Sequence, residues 1–142
     1  MRYMMFMRVQ AGVYDVDPAT ETEVYAAMGR YNEELTKAGV LLALDGLTGP
    51  AEGERIEFGT DGATVVDGPF AEAKEVVGGY WILDVKSHEE AVEWGRRVPA
   101  RVGEAIELRR IFEMDDYDAA GMEVHGELSS PPPHQTESRR EA

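Results

Sequence analysis

Apolar and polar side chains alternate along the first ten residues of the chain, and a period of two indicates a β-strand. The two faces of this strand consist of Tyr3, Met5, Met7 and Val9, and of Arg2, Met4, Phe6 and Arg8. The first face is apolar and the second is only half polar. The pattern therefore predicts a strand that is covered on both sides.

A helical period follows Pro18. Thr20 and Glu23 have the spacing of a capping box, in which each side chain satisfies a backbone N–H at a helix start. Apolar residues then recur three and four positions apart, which predicts a helix. These residues are Val24, Ala27, Met28, Tyr31, Leu35 and Ala38. Gly39 supplies the left-handed stop, and residues 40–47 form a short apolar run typical of a buried strand.

A hairpin is predicted in the middle of the chain. Residues 55–59 and 63–66 resemble two short strands, and the Thr60-Asp61-Gly62 turn lies between them. Gly78-Gly79 then opens a predicted strand over residues 80–85, which is rich in aromatic and β-branched side chains.

The last two elements are a helix and a strand. Ser87 and Glu90 form a second capping box, and Pro99 ends the helix that follows it. Ala91, Trp94 and Val98 are expected to face the core. Residues 105–113 alternate again, which predicts a final strand.

With the hairpin set aside, the predicted order is β-α-β followed by β-α-β. This order is the split arrangement of the ferredoxin-like fold, an α+β architecture with two helices on one face of an antiparallel sheet. Two helices leave the other face open, and a second copy of the sheet would cover it. We therefore expect one ferredoxin-like domain over residues 1–117 that pairs into a homodimer. Residues 118–142 contain Ser and Pro but few large apolar side chains, and we expect a flexible tail there.

Charge and composition exclude several classes of partner and chemistry. The 142 residues contain 28 acidic and 14 basic side chains and no cysteine, giving a net charge of −14. Such a charge disfavours nucleic acid and anionic membranes as partners, and the lack of cysteine excludes disulfide and thiolate chemistry. His88, His125 and His134 lack a metal-ligand spacing, and no phosphate-binding loop is present, so no metal or cofactor is predicted. We expect a cytoplasmic protein, because the chain has neither a signal peptide nor a long apolar span.

Residues 67–75, with the sequence DGPFAEAKE, resemble the signature of the DGPF proteins, a branch of the YCII-related family. Three further segments fit the same pattern: Asn32–Leu35 followed by Ala38–Leu41, Gly79–Ile82, and Glu107–Arg110. The resemblance covers roughly residues 1–117. It implies a dimeric α/β barrel built from ferredoxin-like halves.

The resemblance also carries a functional implication, because better-studied YCII proteins use a His on the first helix and an Asp just before a Pro on the second. Met28 and Val98 stand at about these positions here, and neither side chain can transfer a proton. The family's His-Asp chemistry is therefore not carried over. The DGPF branch further implies a link to sigma factors and so to the regulation of transcription initiation.

Two carboxylates of the DGPF segment, Asp67 and Glu72, are the candidate catalytic residues. Glu72 and Glu75 are three apart, and one helical turn would bring both carboxylates to one side, with Lys74 beside them. The alternative is structural: Asp67 caps the local turn, and Glu72, Lys74 and Glu75 form a solvated, self-paired face.

Four other residues are candidate ligand contacts: Arg109, Glu107, Tyr80 and Phe70. Arg109 could hold an anionic group bidentately if it points between facing sheets, or it could form a salt bridge between subunits. Tyr80 and Trp81 must lie on opposite faces of the sheet, one under the helices and one at the interface.

Two hypotheses of function follow. The first is a non-catalytic homodimer that binds a small molecule or a protein partner, such as a sigma factor. The second is a cofactor-independent enzyme, an isomerase, hydrolase or oxygenase of a small organic acid, which uses Asp67 or Glu72 with Arg109. A carboxylate with a raised pKa in a closed pocket would favour the second hypothesis.

Overall fold

The computed structural model of the protein describes residues 1–70 and 72–119. Its strands are β1 (Arg2–Gln10), β2 (Leu41–Gly46), β3 (Glu54–Gly59), β4 (Gly62–Asp67), β5 (Glu75–Asp84) and β6 (Ala105–Arg110). Its α-helices are α1 (Thr22–Lys37), α2 (His88–Arg96) and α3 (Met114–Ala119). Met1–Arg110 form one compact unit and a second begins at Ile111. The predicted tail lies outside the described residues from position 120 onward.

The main sheet has the strand order β2-β5-β1-β6, and every neighbouring pair is antiparallel. Together with the helices that follow β1 and β5, this order is the ferredoxin-like arrangement, so the predicted α+β fold is confirmed. Strands β3 and β4 form the predicted hairpin as a separate two-stranded sheet.

The core lies on the helix side of the sheet, where Tyr3, Met5, Met7 and Val9 of β1 are all buried, as their alternation predicts. Tyr31 of α1 meets Trp81 and Trp94 edge-on and donates a hydrogen bond of 2.7 Å to the Trp94 carbonyl oxygen. Burial raises the pKa of Tyr31, so its hydroxyl keeps its proton and acts as a donor. This hydrogen bond joins α1 to α2 on the helix side of the sheet.

The predicted start of α1 is wrong, and that of α2 is right. Asp17 accepts a hydrogen bond from the Ala19 amide and so caps a short 3-10 turn, Pro18–Thr20, that precedes α1. The Thr20 hydroxyl donates to the Asp17 carbonyl oxygen, and α1 begins two residues later. Ser87, in contrast, accepts from the Glu90 amide at 3.1 Å, which is the predicted N-cap.

Two strand boundaries also differ from the prediction. β5 begins at Glu75, so Gly78 and Gly79 lie inside the strand and do not open it. A Cβ at Gly79 would lie 2.9 Å from the Asp45 carbonyl oxygen, so the adjacent strand β2 requires glycine there. The last strand ends at Arg110, three residues before the predicted Glu113.

The β3–β4 hairpin exposes an apolar surface. Ile56 pairs with Val65, and Phe58 pairs with Ala63, so these side chains share one face. Phe58 is 84% exposed, and Ile56 and Val65 are exposed as well. We call Ile56, Phe58 and Val65 the hairpin patch.

Among the helices that the structure describes, none combines the length and the apolar character needed to span a membrane.

Candidate functional site

The DGPF segment forms a tight loop between β4 and β5. Asp67 is the last residue of β4, and the Gly68 amide donates a 2.9 Å hydrogen bond to the Gly53 carbonyl oxygen. A Cβ at Gly68 would overlap the carbonyl oxygen of Pro50, and the Gly68–Pro69 peptide bond is cis. The glycine of the motif is therefore needed for this close approach to the Pro50–Glu52 turn.

Arg55 of β3 connects the hairpin to this loop. Its Nη1 lies 2.5 Å from Glu72 Oε1, and its Cζ lies 4.1 Å from the centre of the Phe70 ring. The hydrogen bond from Arg55 lowers the pKa of Glu72, which keeps the carboxylate ionised. Phe70 and Glu72 therefore contact the hairpin through one guanidinium.

The predicted helical turn through residues 72–75 is wrong. Glu75 begins β5, and its carboxylate lies 3.8 Å from Arg8 Nη2, whereas Glu72 pairs with Arg55. The two carboxylates thus belong to different ion pairs. The reason is that the strand pairing of β5 with β1 begins at Glu75 and leaves no room for a helix.

The other candidate residues lie on the sheet face that the helices leave open. Tyr80 donates a 2.7 Å hydrogen bond to Asp45 Oδ2, which raises the pKa of the tyrosine. Tyr80 and Glu107 flank Phe6 in the strand register. Arg109 is 73% exposed, with Nη1 3.8 Å from Glu107 Oε2. Because Trp81 is buried on the helix side, the predicted opposite orientation of Tyr80 and Trp81 is confirmed.

The candidates from the sequence therefore occupy two regions. Asp67, Phe70 and Glu72 belong to the DGPF loop, whereas Tyr80, Glu107 and Arg109 belong to the open face of the sheet. Within the described residues, no hydrogen bond or ion pair joins Arg109 to Asp67 or Glu72. The catalytic and ligand-binding roles of these residues stay predictions.

A pocket of about 360 Å³ lies between α1 and the helix side of the sheet. Its size is at the lower end of the range for small-molecule sites. Most of its lining is apolar: Met7, Val9, Val13, Val24, Met28, Leu44, Leu47, Trp81 and Pro99. Gly78 and Gly79 also line it, and the small size of these residues leaves space over β5. We call this space the α1 pocket.

Two polar side chains are fixed in the wall of the α1 pocket. Asn32 Oδ1 accepts a 2.9 Å hydrogen bond from Trp81 Nε1, which leaves the amide group of Asn32 as the donor end. The Tyr14 hydroxyl donates to the Leu47 carbonyl oxygen at 3.2 Å. Burial, with a smaller effect of Tyr25, raises the pKa of Tyr14.

Asp45 and the candidate residue Tyr80 also line the pocket, and two further charged residues, Arg101 and Glu104, come from the turn before β6. Arg101 forms an ion pair with Glu21, and its Nε lies 3.6 Å from Glu104 Oε1. The Glu104 side chain is only 7% exposed. Burial raises the pKa of Glu104, although the charge and the backbone amide of Arg101 oppose this shift.

This turn is held in place by its backbone. Gly103 has a φ of 91°, a conformation that favours glycine, and the Gln10 side-chain amide donates a 2.9 Å hydrogen bond to the Gly103 carbonyl oxygen. The Glu104 amide donates to the Arg101 carbonyl oxygen at 3.0 Å. Arg101 and Glu104 were not predicted as site residues, because they belong to no periodic element. The turn signal of Gly103 was the available indication.

Met28 and Val98, which the sequence resemblance aligns with a His-Asp pair, are both apolar residues. Met28 lines the α1 pocket, and Val98 is buried in the core. Both add apolar surface and neither exchanges protons. Elsewhere, His88 Nδ1 lies 3.2 Å from the Tyr3 hydroxyl, and no cluster of residues within 1–70 and 72–119 could hold a metal ion.

The fold and the site define a ferredoxin-like α+β domain with an apolar pocket beneath its first helix. The family model of the YCII-related domain matches residues 1–115. The chain therefore belongs to the YCII-related family. Comparison with curated proteins gives no significant match.

Proposed function

We propose that the protein is a homodimeric module that binds a small molecule in the α1 pocket. The observation that carries this proposal is the pocket itself, which is apolar and has a few fixed polar groups. Met28 lies in its wall where better-studied relatives place a His, which favours binding over proton transfer.

The test uses protein purified from its native host under non-denaturing conditions. Native mass spectrometry is expected to detect a bound small molecule that denaturation releases. Met28→Trp should abolish this mass, because the indole fills the pocket. Ala26→Trp, at an exposed position of the same helix, is the matched control and should retain the ligand. A ligand that is absent, or that Met28→Trp retains in full, would contradict the proposal.

The homodimer is proposed to form through the open face of the sheet. Met4 and Phe6 are half-buried on that face, and α1 and α2 pack on the opposite one. The mixed charges of Glu107 and Arg109 suit a self-complementary interface, because a two-fold axis brings each patch to its own copy. Phe6→Glu should convert a dimer into a monomer by light scattering, whereas Ala26→Glu should not. A wild-type protein that is monomeric at micromolar concentration would refute this pairing.

A regulatory role through a protein partner belongs to the same proposal. The DGPF resemblance implies a sigma factor as partner, and the cytoplasmic location expected from the sequence is compatible with it. The exposed hairpin patch supports protein binding because large exposed apolar patches mark interaction sites. Co-purification of a sigma factor encoded in the same genome should depend on Phe58, so Phe58→Ser should weaken it. Val102→Ser, an equally exposed change outside the hairpin, is the control. Equal retention by both variants would exclude the hairpin patch.

The second candidate function is a cofactor-independent enzyme acting on a small organic substrate. Glu104 favours it, because a buried carboxyl with a raised pKa in a pocket is suited to proton transfer. Asp67 and Glu72 are the other candidates. In an assay with the ligand recovered from the native host, an enzyme converts it repeatedly, whereas a binding module returns it unchanged. Loss of turnover in Glu104→Gln but not in Asp67→Asn or Glu72→Gln would assign the chemistry to the α1 pocket.

A further inference from the structure

The wall of the α1 pocket contains a side-chain amide with a fixed orientation, that of Asn32. Val24, Met28 and Asn32 follow one another at intervals of four residues, so they share the face of α1 that lines the pocket. Trp81 Nε1 can only donate a hydrogen bond, and its 2.9 Å bond to Asn32 therefore turns Oδ1 towards the indole. Nδ2, with its two N–H groups, is then the other end of the amide.

The Nδ2 group of Asn32 is available as a donor to a ligand. Among residues 1–70 and 72–119, no side chain or carbonyl group accepts a hydrogen bond from it. Asn32 is half-buried and lines the pocket, so a molecule in the pocket can reach it. The acceptor that an amide N–H most often meets in proteins is a carbonyl oxygen. The pocket therefore offers a site for one carbonyl group.

The charged side chains of the lining, in contrast, already have partners within the protein. Asp45 accepts a 2.7 Å hydrogen bond from Tyr80. Glu104 is stabilised by the guanidinium and the backbone amide of Arg101, and Arg101 also pairs with Glu21. A charged ligand would lose its water without gaining a counter-ion, which is unfavourable in an apolar site. These pairs therefore favour an uncharged ligand.

The rest of the wall suits the hydrocarbon part of such a ligand. Met28 lies one helical turn before Asn32, and Trp81 faces the same space from β5. Gly78 and Gly79 have no side chains, which leaves the space over β5 open. Apolar surface around a small number of placed polar groups is the usual composition of a small-molecule site.

We propose that the α1 pocket binds an uncharged, largely apolar molecule with a carbonyl group, whose oxygen accepts a hydrogen bond from Asn32 Nδ2 while its hydrocarbon part packs on Met28 and Trp81. This inference rests on the proposed function, since it names the ligand class of the same pocket. It differs from the anionic ligand that the sequence analysis placed against Arg109. Asn32 is then the residue that selects a carbonyl compound over a hydrocarbon of the same shape.

The test compares acetophenone with α-methylstyrene, which has a CH2 group in place of the carbonyl oxygen. NMR titration of the 15N-labelled protein gives both Kd values, and their ratio is the readout because α-methylstyrene is the more apolar probe. Asn32→Asp and Asn32→Leu should each raise the Kd of acetophenone relative to that of α-methylstyrene by about 10-fold, since a buried carbonyl without a donor is disfavoured. Asn32→Asp keeps an acceptor for Trp81. Ala26→Asp adds the same charge at an exposed position of α1 and should keep the wild-type ratio.

The side-chain amide signal of Asn32 gives a direct readout of the hydrogen bond. Asn32 is the only asparagine in the sequence, so its signal is the one that Asn32→Asp and Asn32→Leu remove. Acetophenone should move this signal downfield of its position with α-methylstyrene, because the two probes share the aromatic ring and only one has a carbonyl acceptor. The Gln10 amide, which donates to the Gly103 carbonyl oxygen, is the internal reference and should not distinguish the probes.

Thermal unfolding of each variant establishes that it folds, and Met28→Trp, which should abolish binding, establishes that the probes occupy the pocket. Benzoate and benzylammonium are the charged probes, and each should bind at least about 10-fold more weakly than acetophenone. A charged probe that binds more tightly in a Met28-dependent manner, or a Kd ratio that neither Asn32 variant changes, would overturn the carbonyl assignment and leave the pocket proposal standing. Binding of no probe would overturn it as well. The proposed function itself is decided separately by the ligand recovered from the native host.

Discussion

Two glutamates of this chain have pKa values that are shifted in opposite directions, and the cause is local in each case. Glu72 is exposed and accepts a hydrogen bond from Arg55, so its charged form is favoured. Glu104 is buried, and the guanidinium of Arg101 only partly offsets the loss of water. The carboxylate of the DGPF motif is therefore the one held ionised, and the carboxyl group in the turn before β6 is the one that holds its proton more tightly.

Glu104 should make the stability of the protein depend on pH. Its folded-state pKa is raised above the unfolded value, so the folded state binds the proton more tightly and the free energy of unfolding falls as pH rises through that window. Arg101 and Glu21 are the charged groups beside it. Glu104→Gln removes the dependence, so in urea unfolding the free energy of unfolding of the variant should rise relative to that of wild type as pH increases above the ordinary glutamate value of 4.5. Glu89→Gln should show no such trend, and a constant difference for Glu104→Gln would refute the linkage.

Gly68 and Gly29 should respond oppositely to alanine. A Cβ at Gly68 would overlap the Pro50 carbonyl oxygen, so Gly68→Ala must displace the DGPF loop, and we expect a loss of about 1–3 kcal/mol. Gly29 lies within α1 with open space around its Cα, so Gly29→Ala should gain about 0.5–1 kcal/mol. Chemical denaturation measures both changes. Equal tolerance at the two positions would mean that the loop does not need its glycine.

At the scale of elements, the two helix starts differ because of what precedes them. Before α2, the Ser87 side chain caps the helix, and the Glu90 carboxylate accepts a 2.8 Å hydrogen bond from the Lys86 amide. Before α1, Asp17 already caps a 3-10 turn, which takes Thr20 into that turn. The same sequence signal thus produces a cap in one place and a tight turn in the other.

Ser87→Ala should therefore lower the free energy of unfolding by about 1 kcal/mol, because it removes the N-cap of α2. Thr20→Ala should cost less than about 0.5 kcal/mol, since Thr20 does not cap α1 and is exposed. Equilibrium denaturation of the two variants compares them directly. A larger loss at Thr20 would contradict the observed start of α1.

The periodic elements could be predicted from the sequence, and the α1 pocket could not. The alternation along β1 and the three-to-four spacing along α1 identify the buried face of each element. The order of these elements then gave the fold, and the buried faces gave the core. Gly78 and Gly79 were predicted to precede the strand because glycine has a low strand propensity. They lie inside β5, where the close approach of the Asp45 carbonyl oxygen leaves no space for a side chain at Gly79. The pocket forms where the Arg101–Glu104 turn lies close to α1. The turn has no hydrophobic period, so a single sequence does not indicate that these two segments are neighbours.

At the scale of the whole molecule, the main sheet and the hairpin differ in how well they are supported. β1 and β5 are paired on both sides within the sheet, and their helix-side residues form the core. The β3–β4 hairpin has two strands only, and most of its side chains are exposed. Isolated two-stranded hairpins have marginal stability in water.

Amide hydrogen exchange should follow this difference. Peptides from β1 and β5 should exchange last, near the rate set by global unfolding, and peptides from β3 and β4 should exchange orders of magnitude faster. Mass spectrometry resolves these segments by digestion. Hairpin protection equal to that of β5 would contradict this prediction, and protection that grows with protein concentration would indicate that a second copy covers the hairpin patch.

The central position of β1 has a consequence for the order in which the protein can form during synthesis. β1 is translated well before its two partner strands, Glu75–Asp84 and Ala105–Arg110. Contacts between such distant segments require closure of long loops and slow the folding of the chain. The largely apolar β1 must therefore stay unpaired until β5 has been made, which exposes it to aggregation and makes it a segment that a chaperone would protect.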